Sequence, residues 1–470
     1  MTISEKVFTK FKVSMKQIVT TLKQSNNTFT RNPRISIALS GGVDSIVLLD
    51  LLLKYRERYL RGLTIHAITI DHGLRRESAN EALLLNDILL TKNKLPIIHQ
   101  ILKINETISE SQIERHAREL RYKLMYQYCS SSKIPFLFMG HHLDDQMETF
   151  MIRLQSNSTL FGLMGMKMVT PANLRDTHKI DLIRPLLNIR KNEIYSYAKE
   201  NQLKWFEDYT NDDVTLTRRN RIRSYLRQNE ANCDTLIQLH EKTVKLMNES
   251  IYKKLNDLKH SDNFQIKSDF SERYYSKSIK IKIPEGYEFT TVDYLLLDRF
   301  LYNESWTVSP SATFHYNFTK FDNKYSTIEP CNSCHSLIED MLQSRRGKRT
   351  LSGCLFQWEL DRDGYLSVEI FREPPHRNSI NNATVYNIKS FPYFYDNRFF
   401  IKPLNPHVPF SYDIQPLTRS NSKKLVHEVD DLNKLIAVSA PVISSKSTSD
   451  GVALLVEAGF EVVPKREIAA

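Results

Sequence analysis

One short stretch limits the folds open to this chain more than any other. An apolar run, Ile35–Leu39, ends in Ser40-Gly41-Gly42-Val43-Asp44-Ser45, and Ile46–Leu53 continues at once as an apolar helix. A buried strand that turns on two glycines straight into a helix opens a strand–helix–strand unit, and such units build parallel sheets. The alternation goes on downstream. Leu63–Ile70 reads as a second strand closed by Asp71-His72-Gly73, and Glu77–Thr91 as a helix. Ile97–Leu102 reads as a third strand, and Ser109–Ser131 as a long helix with Ser111 and Glu114 as its capping box. Phe136–Met139 reads as a fourth strand ending in Gly140-His141-His142, with a helix after it to about Leu154. The expected fold class is α/β: a Rossmann-like parallel sheet, then a helical segment, then divergent mixed or β-rich accessory domains.

In such sheets ligands bind outside the carboxyl ends of the strands. Strand order therefore gathers Ser40–Ser45, Asp71–Arg75 and His141–Glu148 around one crevice. At the first of these, two glycines let the backbone turn tightly and aim successive N–H groups at an anion. The helix start adds its positive dipole end. Ser40, Gly41, Gly42, Val43, Asp44 and Ser45 are expected to cradle a pyrophosphate, with Asp44 holding Mg²⁺ or capping the helix. No Gly-Lys-Ser/Thr follows a four-residue gap, so this is not a Walker A loop.

Two further segments carry chemistry. Asp144, Asp145 and Glu148 open the helix after the fourth strand, and Asp145 and Glu148, three apart, share one of its faces. A carboxylate pair of this kind can bind an ammonium and accept its proton, whereas acids at a helix start also simply favour the helix. Arg218, Arg219, Arg221, Arg223 and Arg227 crowd one stretch with no acid among them. That pattern suits either a solvated helix face or phosphate contacts. Tyr209 and Tyr225 could stack on a base or pack in a core.

Lys plus Arg outnumber Asp plus Glu by 65 to 54, a net +11 that favours a polyanionic partner without naming it. The chain has 470 residues but only 5 cysteines, too few for a disulfide scaffold, which points to a reducing compartment. Cys331 and Cys334 form a CxxC that His335 and Cys354 could complete as a zinc set, or they are ordinary loop cysteines. No stretch approaches the roughly 20 apolar residues of a membrane span, so no membrane partner is expected. Residues 1–33 are rich in Lys, Ser and Thr, and Glu5 is their one acid. Phe8, Phe11, Met15, Ile18 and Leu22 recur there at helical spacing, which fits a mitochondrial transit leader and an ordinary first helix equally.

Together these segments resemble a known family. Ser40–Ser45 looks like the PP-loop of the ATP pyrophosphatase group, whose members adenylate a substrate and release pyrophosphate. Several further segments choose within that group: Asp71-His72-Gly73-Leu74-Arg75, Ala117-Arg118, Arg121-Tyr122, His141–Thr149, Gly162-Leu163, Arg184-Pro185-Leu186-Leu187, Asp208-Tyr209-Thr210-Asn211 and Arg219-Asn220-Arg221-Ile222-Arg223. In order and spacing they resemble tRNA(Ile)-lysidine synthetase from about Arg34 to Leu226.

The resemblance implies a ligase that uses ATP and Mg²⁺. A wobble cytidine of a CAU-anticodon tRNA(Ile) is adenylated at its C2 oxygen, and free L-lysine then displaces AMP. It implies nucleotide binding by Ser40–Ser45, His72 and Arg75, and catalysis by Asp44, His141, Asp144, Asp145 and Glu148. Mg²⁺ would sit on Asp44 and Asp144, and tRNA or substrate on Arg118, Arg121, Arg184, Arg219, Asn220 and Arg223. The expected division is a leader over 1–33, the PP-loop domain over 34–189, a helical region over 190–258 and an accessory region over 259–470. Polar linkers are expected at Pro374–Asn382 and Ser444–Ser449. Gln155-Ser156-Asn157-Ser158-Thr159 departs from the family, which has an Arg-Gly-Ser or Arg-Gly-Thr run there. Rival readings are a tRNA thiolase with the same loop and an inactive tRNA-binding relative. The leader composition and the Asn- and Tyr-rich second half point to a eukaryotic mitochondrion, with the cytoplasm as the alternative.

Overall fold

A computed structural model describes residues 1–24, 29, 32–71, 85, 97–104, 113–156, 158, 160–171, 180–206, 218–254, 266–271, 275–305, 308–309, 331–351, 353–374, 384–388, 393–396, 399–404, 412–417, 422–425, 441–445, 453–455 and 460–464. The chain forms two compact units that divide between Val244 and Lys245. Among the described residues no helix is long and apolar enough to cross a membrane.

The first unit is built on a six-stranded sheet. Its strands are β1 (Arg34–Ala38), β2 (Thr64–Asp71), β3 (Ile97–Lys103), β4 (Phe136–Phe138), β5 (Val169–Pro171) and β6 (Asp181–Ile183), in the order β3-β2-β1-β4-β6-β5. All neighbours run parallel except β5, which pairs antiparallel with β6. Strands buried on both faces read as continuous apolar runs; β4 is of this kind, and β1 is buried from Ile35 to Ile37 with Ser36 interrupting its apolar run. The direction of winding reverses between β1 and β4, since β2 and β3 lie on one side and β6 and β5 on the other. That reversal opens a crevice at the carboxyl ends of β1 and β4.

The helices of this unit are α1 (Ile3–Gln24), α2 (Val43–Tyr59), α3 (Ile113–Ser131), α4 (Leu143–Gln155), α5 (Lys191–Glu200), α6 (Arg218–Gln228) and α7 (Glu230–Leu246). The apolar stripe of α1 is buried, with Val7, Phe11, Ile18 and Leu22 fully inaccessible. It shares one core with Val47, Leu51, Ile194, Tyr197 and Ala198 of α2 and α5. A polar network ties the same three helices. Tyr197 Oη donates to Asp50 Oδ2 at 2.7 Å, Lys54 Nζ donates to Tyr197 Oη and Asn201 Oδ1 at 2.7 Å each, and Asn201 Nδ2 donates to Ser4 Oγ at 3.2 Å. Burial, with Asp50 alongside, pushes the Tyr197 hydroxyl far above its ordinary pKa, so it acts as a permanent donor.

Residues 3–24, which the composition allowed as a leader or as an ordinary first helix, form α1 and pack in the same core as α2 and α5. That core also takes in α5 and Leu203, beyond the boundary expected at residue 190. The expected helix over Glu77–Thr91 and the capping box at Ser111 and Glu114 lie outside the described residues and side chains.

The second unit is mainly antiparallel. β7 (Ile266–Ser271), β8 (Ser276–Lys282), β9 (Arg346–Leu351), β10 (Cys354–Leu360) and β11 (Tyr365–Arg372) form a sheet in the order β7-β8-β11-β10-β9. Helices α8 (Thr291–Ser305) and α9 (Cys331–Gln343) belong to the same unit. Alternation along β8 and β11 puts Ile279, Ile281, Leu366, Val368 and Ile370 inside. Four-stranded and three-stranded sheets follow, with a core that includes Ile401, Ile414, Val442, Leu455 and Phe460. This is the mixed, β-rich second half expected from the sequence. The linker expected at Ser444–Ser449 begins inside a strand, Pro441–Ser445. Cys354 is buried and its Sγ donates to Ser305 O at 3.6 Å, while the side chains of Cys331, Cys334 and His335 lie outside the described ones.

Because α1 fills the core beside α2 and α5, Phe11→Ala is expected to destabilise the first unit by about 3–5 kcal/mol. Urea titration of the full chain, followed by far-ultraviolet circular dichroism, measures this. A loss below about 1 kcal/mol would mean that α1 is dispensable.

Candidate active site

The turn after β1 starts from its glycines. Gly41 has φ +87°, and a Cβ there would lie 2.8 Å from the Phe206 ring. Phe206 N donates to Gly41 O at 2.9 Å, so the chain after α5 is bonded directly onto this turn. Gly42 caps α2 without a side-chain hydrogen bond, which keeps the helix start available to an anion. The two serines bond locally: Ser40 Oγ donates to Ser45 Oγ at 3.3 Å, and Ser45 Oγ donates to Gly42 O at 2.9 Å. On the neighbouring strand exit, a Cβ on Gly140 would lie 3.2 Å from the backbone of Asp44. The glycine lets the β4 exit close onto the first turn of α2.

That closure brings the acids together. His142 is buried and caps α4, its Nδ1 accepting from Asp145 N at 3.4 Å while Asp145 Oδ2 accepts from His142 N at 3.0 Å. Its Nε2 lies 3.6 Å from Asp44 Oδ1 and 3.4 Å from Asp145 Oδ2, and its Nδ1 lies 3.8 Å from Asp144 Oδ2. One imidazole thus stands among three carboxylates from two helices. Burial alone would raise the Asp145 carboxyl. His142, Arg219, His141 and the backbone N–H of His142 outweigh it and hold that carboxyl far below the ordinary range. Asp145 is a fixed negative charge at any physiological pH.

The other expected site residues sort by environment. Asp144 Oδ2 accepts the first N–H of α5, from Lys191, at 2.7 Å, so Asp144 caps that helix as well as facing the crevice. Glu148, expected among the catalytic acids, has only 2% of its side chain exposed and accepts from Arg219 Nε at 2.7 Å and from Arg223 Nε at 2.6 Å. These two pairs fasten α6 to α4. Arg219 and Arg223, expected on tRNA or substrate, therefore point inward, and removing such a buried partner costs about 3–5 kcal/mol.

His141 lies beside Arg184 and Arg118, and its Nδ1 is buried without a hydrogen-bond partner among the described residues. Desolvation, helped by Arg184, depresses its pKa well below the ordinary value, so it is neutral. Arg184 is fully buried and donates to Lys167 O and Thr170 Oγ1 at 3.0 Å each. Arg118 lies over the Tyr122 ring at 5.4 Å, and its Nε is buried without a hydrogen-bond partner among the described residues. Arg121 and Asn220 are half-buried on α3 and α6. His72 and Arg75, expected on the nucleotide, lie outside the described residues, as does Tyr209.

Two functional features escaped sequence reasoning. Lys191 Nζ lies 2.7 Å from both Asp44 carboxylate oxygens, a contact between elements far apart in sequence. The second is a division of labour on α6. Arg219 and Arg223 turn inward and Ile222 and Leu226 fill a core with Met147 and Ile152, while Arg218, Arg221 and Tyr225 line an open pocket with Met151 and Gln155. Arg218 donates to Gln155 Oε1 at 2.9 Å and to Ser156 Oγ at 3.4 Å, placing a guanidinium beside the segment that departs from the family. The spacing i, i+3, i+7 was available as a signal for that stripe.

A strand-to-glycine-to-helix phosphate cradle facing an acidic helix across a reversal of strand order defines a nucleotide-binding α/β domain. The model of the PP-loop domain family matches residues 9–230, beginning inside α1. Over 195 residues it is 38% identical to the tRNA(Ile)-lysidine synthase of Wolbachia pipientis wMel, covering 41% of this chain and 43% of that protein. Over 193 residues it is 37% identical to the tRNA(Ile)-lysidine synthase of Rickettsia conorii, covering 41% of this chain and 38% of that protein. The matched stretch thus spans about two fifths of the length of each relative. A solved structure, the U34-tRNA thiolase NcsA from Methanococcus maripaludis, is 18% identical with a TM-score of 0.38, covering 50% of this chain and 80% of that one.

Burial lowers the pKa of His66, His99, His141 and His240 below the ordinary value. The unfolded chain then takes up protons first, near pH 6.5. Stability of the first unit is full above that pH and is lost as pH falls below it. The urea midpoint is expected to drop between about pH 7.5 and about pH 5.5. An unchanged midpoint would refute the burial of these rings.

Proposed function

We propose that this protein is an ATP-dependent ligase that joins free L-lysine to the wobble cytidine of a CAU-anticodon tRNA(Ile). The observation that carries the reading is the meeting of Asp44, Asp145 and His142 beside the Ser40–Ser45 turn. There the phosphate cradle and an ionised carboxylate share one crevice, as a two-step adenylation and amine transfer requires. The identity to two tRNA(Ile)-lysidine synthases over the same region supports the choice of substrates. The two cysteines of the first unit offer no support for a thiolase. Cys129 and Cys233 are both buried, and burial pushes the Cys129 thiol up to about 11.

In this reading the amides at the start of α2 and the hydroxyls of Ser40 and Ser45 hold the departing pyrophosphate. A divalent cation fits beside them, because Asp44 offers a hard carboxylate at the turn and Mg²⁺ is commonly held by one or two carboxylates plus phosphate oxygens. When bound, it supplies charge neutralisation on the polyphosphate. Asp145, always ionised, binds the incoming ammonium and orients it. That ammonium first loses one proton to solvent, since only the free amine has the lone pair that forms the C–N bond as the C–O bond to AMP breaks. The nitrogen's second proton becomes strongly acidic as that bond forms, so a weak neutral base suffices. His141, neutral and with its Nδ1 unpartnered among the described residues, is the acceptor we assign. Glu148 serves by holding α6, whose outer stripe of Arg218, Arg221 and Tyr225 offers two guanidiniums and an exposed ring to tRNA.

Incubation with ATP, labelled lysine and a CAU-anticodon tRNA(Ile) tests the assignment. ATP-dependent transfer of label to tRNA is expected, and Asp145→Asn is expected to lower it by about a hundredfold or more. Transfer that never requires ATP, or an active Asp145→Asn protein, would reject the reading. Replacing Arg218 and Arg221 together by Gln is expected to leave ATP binding intact. It should weaken tRNA binding and lower the salt slope by about one for each phosphate no longer neutralised. Filter binding across a salt series measures this, and an unchanged slope would remove the outer stripe from the tRNA surface.

A further inference from the structure

Lys191 is the first residue of α5, preceded by Arg190. Two cations at a helix N-terminus oppose the helix dipole, a placement that normally costs stability. Arg190 is compensated by Asp234, at 2.7 Å. Lys191 is compensated across the domain: its Nζ sits 2.7 Å from both oxygens of Asp44 and 5.0 Å from the Tyr195 ring centroid, with 23% of its side chain exposed. Its backbone N–H is held by Asp144 Oδ2 at 2.7 Å. The ammonium thus bisects the one carboxylate on the first turn of α2, the position a divalent cation bound through both oxygens would take. Two cations cannot occupy it together.

We propose that Lys191 is the resident counter-cation of the phosphate loop. It neutralises Asp44 in the nucleotide-free protein, yields that carboxylate to the divalent cation, and turns its ammonium to the polyphosphate. The inference rests on the nucleotide reading of the loop and adds a residue to it. The geometry permits the exchange. The Lys191 backbone stays fixed by Asp144 while the flexible side chain, partly open to solvent, swings between two anions on the same helix start. A lysine suits this better than an arginine, since a compact ammonium holds either anion as a point charge rather than as a bidentate fork. The exchange also avoids leaving Asp44 unpaired beside Asp145 when no nucleotide is present.

The test uses full-length protein and two probes that bypass the overall reaction. Manganese(II) chloride alone, followed by the free-ion electron paramagnetic resonance signal, reports on Asp44. Inorganic pyrophosphate with Mg²⁺, followed by calorimetry, reports on the phosphate contact. Lys191→Met is expected to bind Mn²⁺ about tenfold more tightly and Mg²⁺-pyrophosphate about tenfold more weakly, the scale of one charge-assisted contact. Adding Asp44→Asn should abolish the gain in Mn²⁺ affinity. Lys191→Gln, which keeps a polar side chain on α5, is a second variant should Lys191→Met fold poorly, with the same shifts expected. A purely structural lysine would move neither binding constant in this pattern, so Mn²⁺ affinity unchanged or weakened in the folded variants overturns the proposal. Wild-type protein that binds ATP while its Mn²⁺ affinity ignores Lys191 sinks this inference alone. Wild-type protein that binds neither ATP nor pyrophosphate sinks the reading of the loop itself.

Discussion

Everything at the candidate site depends on the parallel pairing of β1 with β4, in which Ser36 faces Leu137 and Ile37 faces Phe138. Those strands are far apart in sequence, and β2 and β3 are diverted to the far side of β1. Because both strands run the same way and end level, the Ser40–Ser45 turn and the His141–Asp145 segment leave the sheet side by side. Gly140 then allows a close backbone approach, since a Cβ there would lie 3.2 Å from the backbone of Asp44. The buried apolar faces of β1 and β4 supply the driving force for this pairing, and the chemistry sits at its edge.

Charge at the site is arranged by pairing rather than by exposure. Asp44 is met by Lys191, Glu148 by Arg219 and Arg223, and Asp144 by the first N–H of α5. Asp145 is ionised by the cations and donors around it despite burial. Each pairing also fastens one helix to another: α5 to α2 and α4, and α6 to α4. The same groups that set the electrostatics therefore hold the walls of the crevice. Beside them Arg118 Nε and His141 Nδ1 are buried without a hydrogen-bond partner among the described residues, which leaves that corner able to bond a ligand.

Much of the fold was legible in the residues. Four strands of the sheet were placed close to their observed bounds, because buried parallel strands leave long apolar runs between glycines and polar clusters. The phosphate turn was legible for a local reason, since Gly41 must take a positive φ and no downstream residue can do that work for it. The short strands β5 and β6 were missed. Three residues each carry too little pattern, and they owe their conformation to the neighbouring strand. The acid cluster was found by spacing, but the partner of each of its members was not. Shared helix face is a local property, whereas the partner each acid meets belongs to another element.

By itself the sequence determined the alternation of strand and helix, the glycine turn, and the carboxylates available at one strand exit, since all of these follow from local stereochemistry and the periodicity of burial. Only the tertiary structure decided that the apolar stripe of α1 packs in the core of the sheet, that Glu148 is held by two arginines while Asp145 stands beside His142, and that Lys191 rests on Asp44. The reason is physical. A charged or apolar side chain acquires its role from the dielectric and the counter-charge around it, and those are contributed by residues brought near only when the sheet has formed.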